Sequence, residues 1–395
     1  MSTPSLLPVS IVLVPLVAVV PILLSGSRPN LREAWTFVAA LLTLGLTGWA
    51  ATATIDGVFY ETVLGEIVRG TPLSFRVDAM GGLFALLASF LWVVASVYSV
   101  GYVRGLDEDR QTRYFAAFAA SIATTMGVAL AANLLTLFVF YELLTLATYP
   151  LVTHHGDAEA RRSGRKYLAY TLSGGVAILA GIVLVYAETG SADFVAGGLA
   201  GLESDPVVAT VAYALLVVGF GVKAAVVPLH AWLPDAMVAP TPVSGLLHAV
   251  AVVKSGVFGL ARVVLFVFGV DTVRSLGLDL PLALAAAATM LLAGILALRQ
   301  DNLKRGLAYS TVSQLSYIVL GIALLTPAAV FGALLHLVAH AFMKITLFFV
   351  AGAIYVETEV EYVGEMAGIW RRLPATMTAF AIGSAGLVGL PGVAG

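Results

Sequence analysis

The 395-residue sequence contains no cysteine, which excludes disulfides, cysteine-ligated iron–sulfur clusters and thiolate zinc sites. Charged residues are also scarce, at 11% of the chain against about 25% in soluble globular domains. The net charge of −2 provides no basic surface, so we expect no nucleic-acid partner. The sequence has no glycine-rich dinucleotide fingerprint and no pattern of haem ligands. We therefore expect a chain without a cofactor or redox centre of its own.

Apolar residues, by contrast, make up 60% of the chain, and the mean hydropathy is +0.98. This composition is typical of an integral membrane protein, in which a spanning helix needs about 20 mostly apolar residues. We predict an all-α polytopic protein with about twelve transmembrane helices, at 4–24, 34–54, 77–103, 113–132, 134–152, 167–187, 207–228, 243–268, 279–298, 307–325, 328–355 and 374–395. The first run has no preceding basic residue or cleavage site, so we interpret it as a retained span. Segment 56–73 is too polar to span, and we predict a surface helix or loop there.

The basic residues are distributed unevenly between the two sets of predicted connections. If the N-terminus lies outside, most of the 21 lysines and arginines fall in connections on the inner side. The outer connections keep only Arg69, Arg76, Arg274 and, at a span end, Arg262. This asymmetry follows the positive-inside rule and predicts a multi-pass protein of the cell membrane with its N-terminus outside. His154 and His155 follow the fifth span on the inner side, where we expect them to be solvated.

Titratable side chains lie within the predicted spans, although each buried ion costs roughly 2.5–3.5 kcal/mol. The set comprises one glutamate, three lysines and three histidines: Glu142, Lys223, His248, Lys254, His336, His340 and Lys344. A purely structural helix does not need such groups, so we interpret them as a path for protons. The alternative is that they form interhelical pairs that fix packing, although a buried pair is often no better than an apolar contact.

The spacing of these residues adds geometric detail. His336, His340 and Lys344 are four residues apart, so they drift only about 40° per step and form one stripe about 12 Å long. His248 and Lys254 are six apart, which places them about 120° apart on a continuous helix and predicts different neighbours. The pair in HLVAH lacks the glutamate of a zinc-binding HExxH motif, and we expect no metal site.

The segment after Lys223 is rich in proline. Proline removes a backbone donor and interrupts a helix, which is tolerated at membrane depth where a cavity or ion path is lined. We predict a helix break beside Lys223, marked by Pro228, Pro234, Pro240 and Pro242.

Four stretches resemble the antiporter-like family shared by respiratory complex I, membrane-bound hydrogenases and Mrp multisubunit sodium/proton antiporters. They are FYELLTLATYPLV around Glu142, VKAAVVPLHAWLPDAMVAPTPVSGLLHAVAVVKSGV, DNLKRGLAYSTVSQLSYI, and HLVAHAFMKITLFFVAGAI around Lys344. The resemblance implies two inverted five-helix repeats, each with a broken helix at its centre. The chain would then divide into N-terminal helices in 1–112, a first repeat in 113–270, and a second repeat in 271–395 that is incomplete at its C-terminal end.

The resemblance also implies roles for individual residues. Glu142 and Lys223 match the glutamate–lysine pair of a first half channel. His248 and Lys254 match its link toward the middle of the membrane, and Lys344 with its two histidines matches a central relay. Asp301 and Lys304 match a motif at a helix start, where they would serve either proton uptake or helix capping. The sequence ends at Gly395, before the position of the second half channel's exit residue, so we expect a truncated or short member.

The leading hypothesis is a proton-translocating subunit of a multisubunit monovalent cation (Na⁺)/proton antiporter, because LLHAVAVVKSG, with MVAPTPVS before it, resembles the Mrp-type subunits more than those of complex I. Its partners would be other membrane subunits, the lipid bilayer, protons and Na⁺. The alternative is a proton-pumping membrane subunit of a complex I-like NADH:quinone oxidoreductase, in which case the chain is part of an enzyme. A scaffold that only packs against partners and a solute transporter are further alternatives.

Overall fold

The computed structural model describes residues 2–393. These residues form thirteen longer helices, α1 Leu7–Leu24, α2 Pro29–Ile55, α3 Ala79–Gly105, α4 Gln111–Leu130, α5 Leu134–Val152, α6 Ala158–Thr189, α7 Pro206–Lys223, α8 Thr241–Ala249, α9 Val252–Arg262, α10 Asp279–Leu298, α11 Leu303–Ala323, α12 Pro327–Thr358 and α13 Pro374–Val388. They provide eleven spans that are long and apolar enough to cross a membrane, because α8, α9 and a π-helical segment, Val263–Phe268, form one interrupted span and α13 is too short to count. The predicted helical, polytopic fold is confirmed.

The predicted twelfth span, 374–395, corresponds to α13. This helix has 15 residues, fewer than the about 20 that a span requires. The last two residues of the predicted span lie outside the described residues.

The prediction of a helix or loop at 56–73 is wrong, because this segment forms strands. β1, Ser2–Pro4, pairs in parallel with β2, Phe59–Val68, which pairs antiparallel with β3, Thr71–Arg76. A turn at Arg69 and Gly70 joins the last two strands, and Gly70 supplies a positive φ of 75°. The sheet lies beside the N-terminal end of α5, where Asn133 Nδ2 donates to the carbonyl of Pro72.

The helix connections gather at two ends of the bundle. One end, called here the arginine-rich end, contains Arg28, Arg104, Arg110, Arg299 and Arg371 in or beside its connections. The opposite end contains the sheet and the 190–201 loop. Side-chain caps begin several helices by accepting a backbone N–H, as at Asp157 for α6 and Asp205 for α7.

The broken helix after Lys223 is confirmed, but the break starts earlier than the predicted boundary at 228. Lys223 is the last residue of α7, and the chain then runs irregularly through Pro228 and a single helical turn at Trp232–Asp235 before α8. Pro240 precedes α8 and Pro242 lies in its first turn, so these two prolines begin the next helix and do not interrupt the previous one.

A second interruption lies at Val250 and Ala251, where the sequence predicted a continuous helix over 243–268. Both backbone N–H groups donate to the carbonyl of Leu246, at 3.1 and 2.9 Å, which widens the turn between α8 and α9. Beyond α9, carbonyls of the π-helical segment accept N–H groups from the 190–201 loop, including Leu199 N to Val267 O at 2.8 Å.

Two neighbouring glycines in that loop provide a test of how tightly this span is held. Gly197 and Gly198 have φ of +88° and +97°, but only a Cβ at Gly198 would meet the backbone of Phe268 and Gly269, with Gly269 N at 2.8 Å. We expect Gly197→Ala to cost about 1–3 kcal/mol of backbone strain, and Gly198→Ala to cost about 1–3 kcal/mol more because the loop must move. Thermal unfolding in detergent measures the difference, and equal losses of stability would contradict the close packing.

Candidate proton pathway

Lys223 lies at the broken end of α7 and is fully buried. Its Nζ donates to the backbone carbonyl of Tyr141 and lies 3.5 Å from the centroid of the Tyr141 ring, a cation–π contact. None of the ion pairs among the described residues includes Lys223 or Glu142. The two predicted partners therefore do not pair directly, and the lysine is held by Tyr141, the residue next to Glu142 in the chain.

Glu142 points from α5 toward α6. A Cβ on Gly175 would lie 2.7 Å from its Cδ, so the carboxylate occupies space that only a glycine leaves free. Its Oε1 is buried and has no hydrogen-bond partner among the described residues. A partly enclosed carboxylate with an unused acceptor is suited to taking up a proton.

The contact between α7 and α9 brings Lys223 close to the next part of the path. A Cβ on Gly256 would lie 2.6 Å from the carbonyl carbon of Lys223, so this glycine lets the two backbones touch. Lys254 is two residues earlier on the same short helix. The end of α7 and the helix that carries Lys254 are thus in direct contact.

Lys254 meets the histidine stripe of α12. Its Nζ lies 2.7 Å from His340 Nδ1 and donates to the carbonyl of Leu337 at 3.1 Å, and both Lys254 and His340 are fully buried. The His340 ring is 6.0 Å from that of His336, whose Nε2 lies 2.7 Å from Gln314 Oε1. An ammonium–imidazole contact of this length can pass a proton in either direction.

Lys344 lies one turn beyond His340 and faces α11. Its Nζ donates to the hydroxyl of Ser310 and to the carbonyl of Leu307, the latter at 3.1 Å. Ser310, Gln314 and Tyr317 thus form a polar face of α11 against the stripe, with the Tyr317 and His336 rings 5.8 Å apart. Sequence reasoning missed these three residues, although their spacing of four and three residues places them on one helix face.

His248 is fully buried on α8, with its ring 4.8 Å from that of Phe348. Neither ring nitrogen has a partner among the described residues. His248 and Lys254 contact different residues, as predicted. The prediction assumed one continuous helix, but the helix is interrupted between the two residues. Thr241, Ser244 and His248 share one face of α8, and Thr241 Oγ1 lies 3.3 Å from the hydroxyl of Tyr102.

A polar cavity of about 1160 Å³ opens at the arginine-rich end. Tyr102, Glu108, His154 and Lys304 are among the residues that line it. His154 is 3% exposed, so the expectation that it is solvated is wrong. Burial raises the pKa of Glu108, and the neighbouring His155 partly offsets this rise. Burial lowers the pKa of His154 to about 4. His154 is consequently neutral at pH 7.

Asp301 and Lys304, predicted to serve either proton uptake or helix capping, have different contacts at the start of α11. Asn302, not Asp301, caps the helix by accepting from Arg305 N at 3.1 Å. Asp301 Oδ1 accepts from Gly364 N at 3.0 Å, so this residue fixes the 359–373 connection. Lys304 Nζ donates to the carbonyl of Ala239 at 3.3 Å beside the cavity.

Comparisons with known proteins identify the family of the chain. A family profile described as "NADH:quinone oxidoreductase/Mrp antiporter, TM" matches residues 131–395. The chain belongs to this family. Its members include subunits of cation/proton antiporters and of complex I, so the suspected resemblance is confirmed at the level of the family.

Individual relatives come from both branches. A probable K(+)/H(+) antiporter protein from Rhizobium meliloti is 34% identical over 90% of this chain, which spans only 35% of that relative. NADH-quinone oxidoreductase subunit N from Desulforudis audaxviator is 36% identical over 98% of this chain and 77% of its own length. A chain of the Mrp complex from Dietzia sp. is 25% identical, with a TM-score of 0.87 over 98% of this chain and 71% of its own.

Proposed function

We propose that this chain translocates protons as a subunit of a multisubunit monovalent cation (Na⁺)/proton antiporter. The contact that carries the proposal is the one between Lys254 Nζ and His340 Nδ1, at 2.7 Å and fully buried. An apolar contact would fill the same space without the cost of burying a lysine. The pairing of two groups that both bind and release protons is what a relay requires.

The path we propose begins at Glu142 and Lys223 and continues through the α7–α9 contact to Lys254 and His340. From there His336 and Gln314 form one branch, and Lys344 with Ser310 forms another. We place His248 between the Lys254–His340 contact and the cavity at the arginine-rich end. Thr241 and Tyr102 would continue the path from His248 to the cavity. The sequence-predicted residues thus supply the titratable groups, while hydroxyls and carbonyls of neighbouring helices orient them.

We also propose the division into 1–112, 113–270 and 271–395. Helix lengths support it: α4, α5, α6 and α7 have 20, 19, 32 and 18 residues, and α10, α11, α12 and α13 have 20, 21, 32 and 15. The repeat order of a medium pair, a long helix and a shorter helix is the same in both halves. The long third helix of the second half carries the histidine stripe.

The membrane setting completes the proposal. The arginine-rich end would face the cytoplasm, which puts the N-terminus outside and the protein in the cell membrane. Further membrane subunits would be its partners, as the names of its relatives suggest. The second candidate is a proton-pumping subunit of a complex I-like oxidoreductase. It is favoured by the match to NADH-quinone oxidoreductase subunit N, because this chain covers most of that relative's length.

An ion-pulse experiment separates the two candidates. Everted vesicles that contain the native assembly are loaded with a pH-sensitive dye, and Na⁺, K⁺ or NADH is added in turn. We expect Na⁺ to dissipate an imposed proton gradient, and Lys344→Ala to slow this response by at least about tenfold because the relay loses a titratable group.

The control for this experiment is Arg104→Ala, which removes an ion pair with Glu33 at the arginine-rich end and touches neither the cavity nor the relay. Acidification that depends on NADH and not on Na⁺ would contradict the antiporter and support the oxidoreductase. A response to K⁺ alone would keep the antiporter and change its cation.

A further inference from the structure

Arg262 is buried at the opposite end of α9 from the helix interruption, and its side chain is inaccessible to solvent. The guanidinium is paired with Asp78 through two contacts, Nη1 to Oδ2 at 2.7 Å and Nη2 to Oδ1 at 2.8 Å. The rings of Phe194, Phe258 and Phe266 surround it, with centroids 4.9 to 5.0 Å away. The sequence predicted Arg262 at the end of a span, beside an outer connection, and did not predict that its side chain is buried.

The start of α3 fixes the orientation of the Asp78 carboxylate. Asp78 also caps α3 by accepting from Gly81 N at 2.8 Å, which fixes its carboxylate. A Cβ on Gly81 would collide with the carbonyl oxygen of Ala129 and lie 3.2 Å from Arg262 Nη2 and from Asp78 Oδ1, so only a glycine fits beside the pair. A carboxylate that accepts from both a guanidinium and a backbone N–H is held in one orientation. Arg76 is a second positive charge near the Asp78 carboxylate.

The helix that this pair fixes is short and interrupted at both ends. α9 has 11 residues, with the widened turn at Val250 and Ala251 before it and the π-helical segment after it. Irregular turns at both ends leave the angle of such a helix to its side-chain contacts. Among the described residues, the pair with Asp78 is the one ion pair that anchors α9.

Lys254 and Arg262 are eight residues apart, which corresponds to about 12 Å along the helix and about 80° around it. One side chain therefore reaches α12 while the other reaches the start of α3. Any rotation of α9 about its axis moves Lys254 Nζ away from His340 Nδ1.

We infer that the Asp78–Arg262 pair is a positioning clamp that holds α9 at the angle at which Lys254 meets His340. The inference rests on the proposed function, since Lys254 matters only if protons pass there. Arginine keeps its proton in proteins, so the clamp itself does not relay one. The titratable groups around the Lys254–His340 contact are His336 and Lys344 on α12 and His248 on α8.

The test uses Asp78→Asn in the native assembly, with two measurements. Hydrogen–deuterium exchange of the peptide covering 252–268 is expected to become at least about tenfold faster, because α9 loses its anchor. The pH of half-maximal transport is expected to shift by at least about half a unit, because Lys254 no longer meets His340 in the same geometry. A second variant, Asp78→Glu, keeps the negative charge, and we expect it to change both measurements less than Asp78→Asn does.

Glu33→Gln is the matched control, because Glu33 is buried and pairs with Arg32 and Arg104 at the arginine-rich end. We expect it to lower the amount of folded protein without changing the exchange of 252–268 or the pH profile. Unchanged exchange and pH profile in Asp78→Asn would overturn the clamp. If exchange rises while Lys254→Ala transports normally, the clamp stands as an anchor of α9 and the proposed function is the part that fails.

Discussion

Lys254→Arg is expected to slow proton transport by at least about 100-fold, although it keeps a positive charge in place. Lys254 Nζ lies 2.7 Å from His340 Nδ1, and passing a proton there requires the cation to release one. Arginine does not release its proton in proteins, so a relay through this position stops. The measurement is the initial rate of proton movement in vesicles that contain equal amounts of assembled protein.

The same substitution at Lys166 provides the control. Lys166 forms an ion pair with Asp235 at 2.7 Å, and arginine can form that pair equally well. We expect Lys166→Arg to transport within about twofold of the unchanged chain. Near-normal rates in Lys254→Arg would mean that the position needs only a charge, which supports the alternative of an interhelical pair that fixes packing.

The spans were predictable because each is a long apolar run whose signal does not depend on neighbours. The titratable residues of the stripe were predictable for the related reason that charge inside such a run is costly. The i, i+4 spacing also gave the single face of α12 on which His336, His340 and Lys344 lie. Their proton-carrying role stays a prediction.

The structure differs from the sequence prediction where two elements must be considered together. The β2–β3 hairpin was missed because 56–73 was judged by its polarity, although Thr62, Val63, Ile67 and Val68 are β-branched and Arg69–Gly70 forms the turn. The turn at Val250 and Ala251 has no proline or glycine to mark it. It depends on backbone contacts that the sequence does not reveal.

The polar residues of α11 that contact the histidine stripe of α12 were also not predicted from the sequence. Ser310, Gln314 and Tyr317 lie within DNLKRGLAYSTVSQLSYI, but they are uncharged, so the cost of burying an ion does not single them out. Asp78 and Arg262 are 184 residues apart. Because pairs at such a separation leave no periodic pattern, only the packing of α3 against α9 shows that they meet.

Lys223→Ala is expected to abolish coupled transport, with a loss of at least about 100-fold. Lys223 lies at the broken end of α7, and no other titratable group among the described residues occupies the contact with Tyr141. Alanine removes the proton carrier while leaving the apolar face of α7 intact, so membrane insertion should persist. Transport rate and the amount of chain in the membrane are measured on the same vesicles.

Glu142→Gln completes this test, because glutamine has nearly the same shape as glutamate and cannot ionise. Glu142 shares the site without an ion pair to Lys223, so we expect a smaller loss of rate, about tenfold, together with a changed pH dependence. If Glu142→Gln keeps the original pH dependence, the carboxylate does not govern when Lys223 loads its proton. If Lys223→Ala also transports normally, protons do not pass through α7, and the path must begin at the cavity and His248.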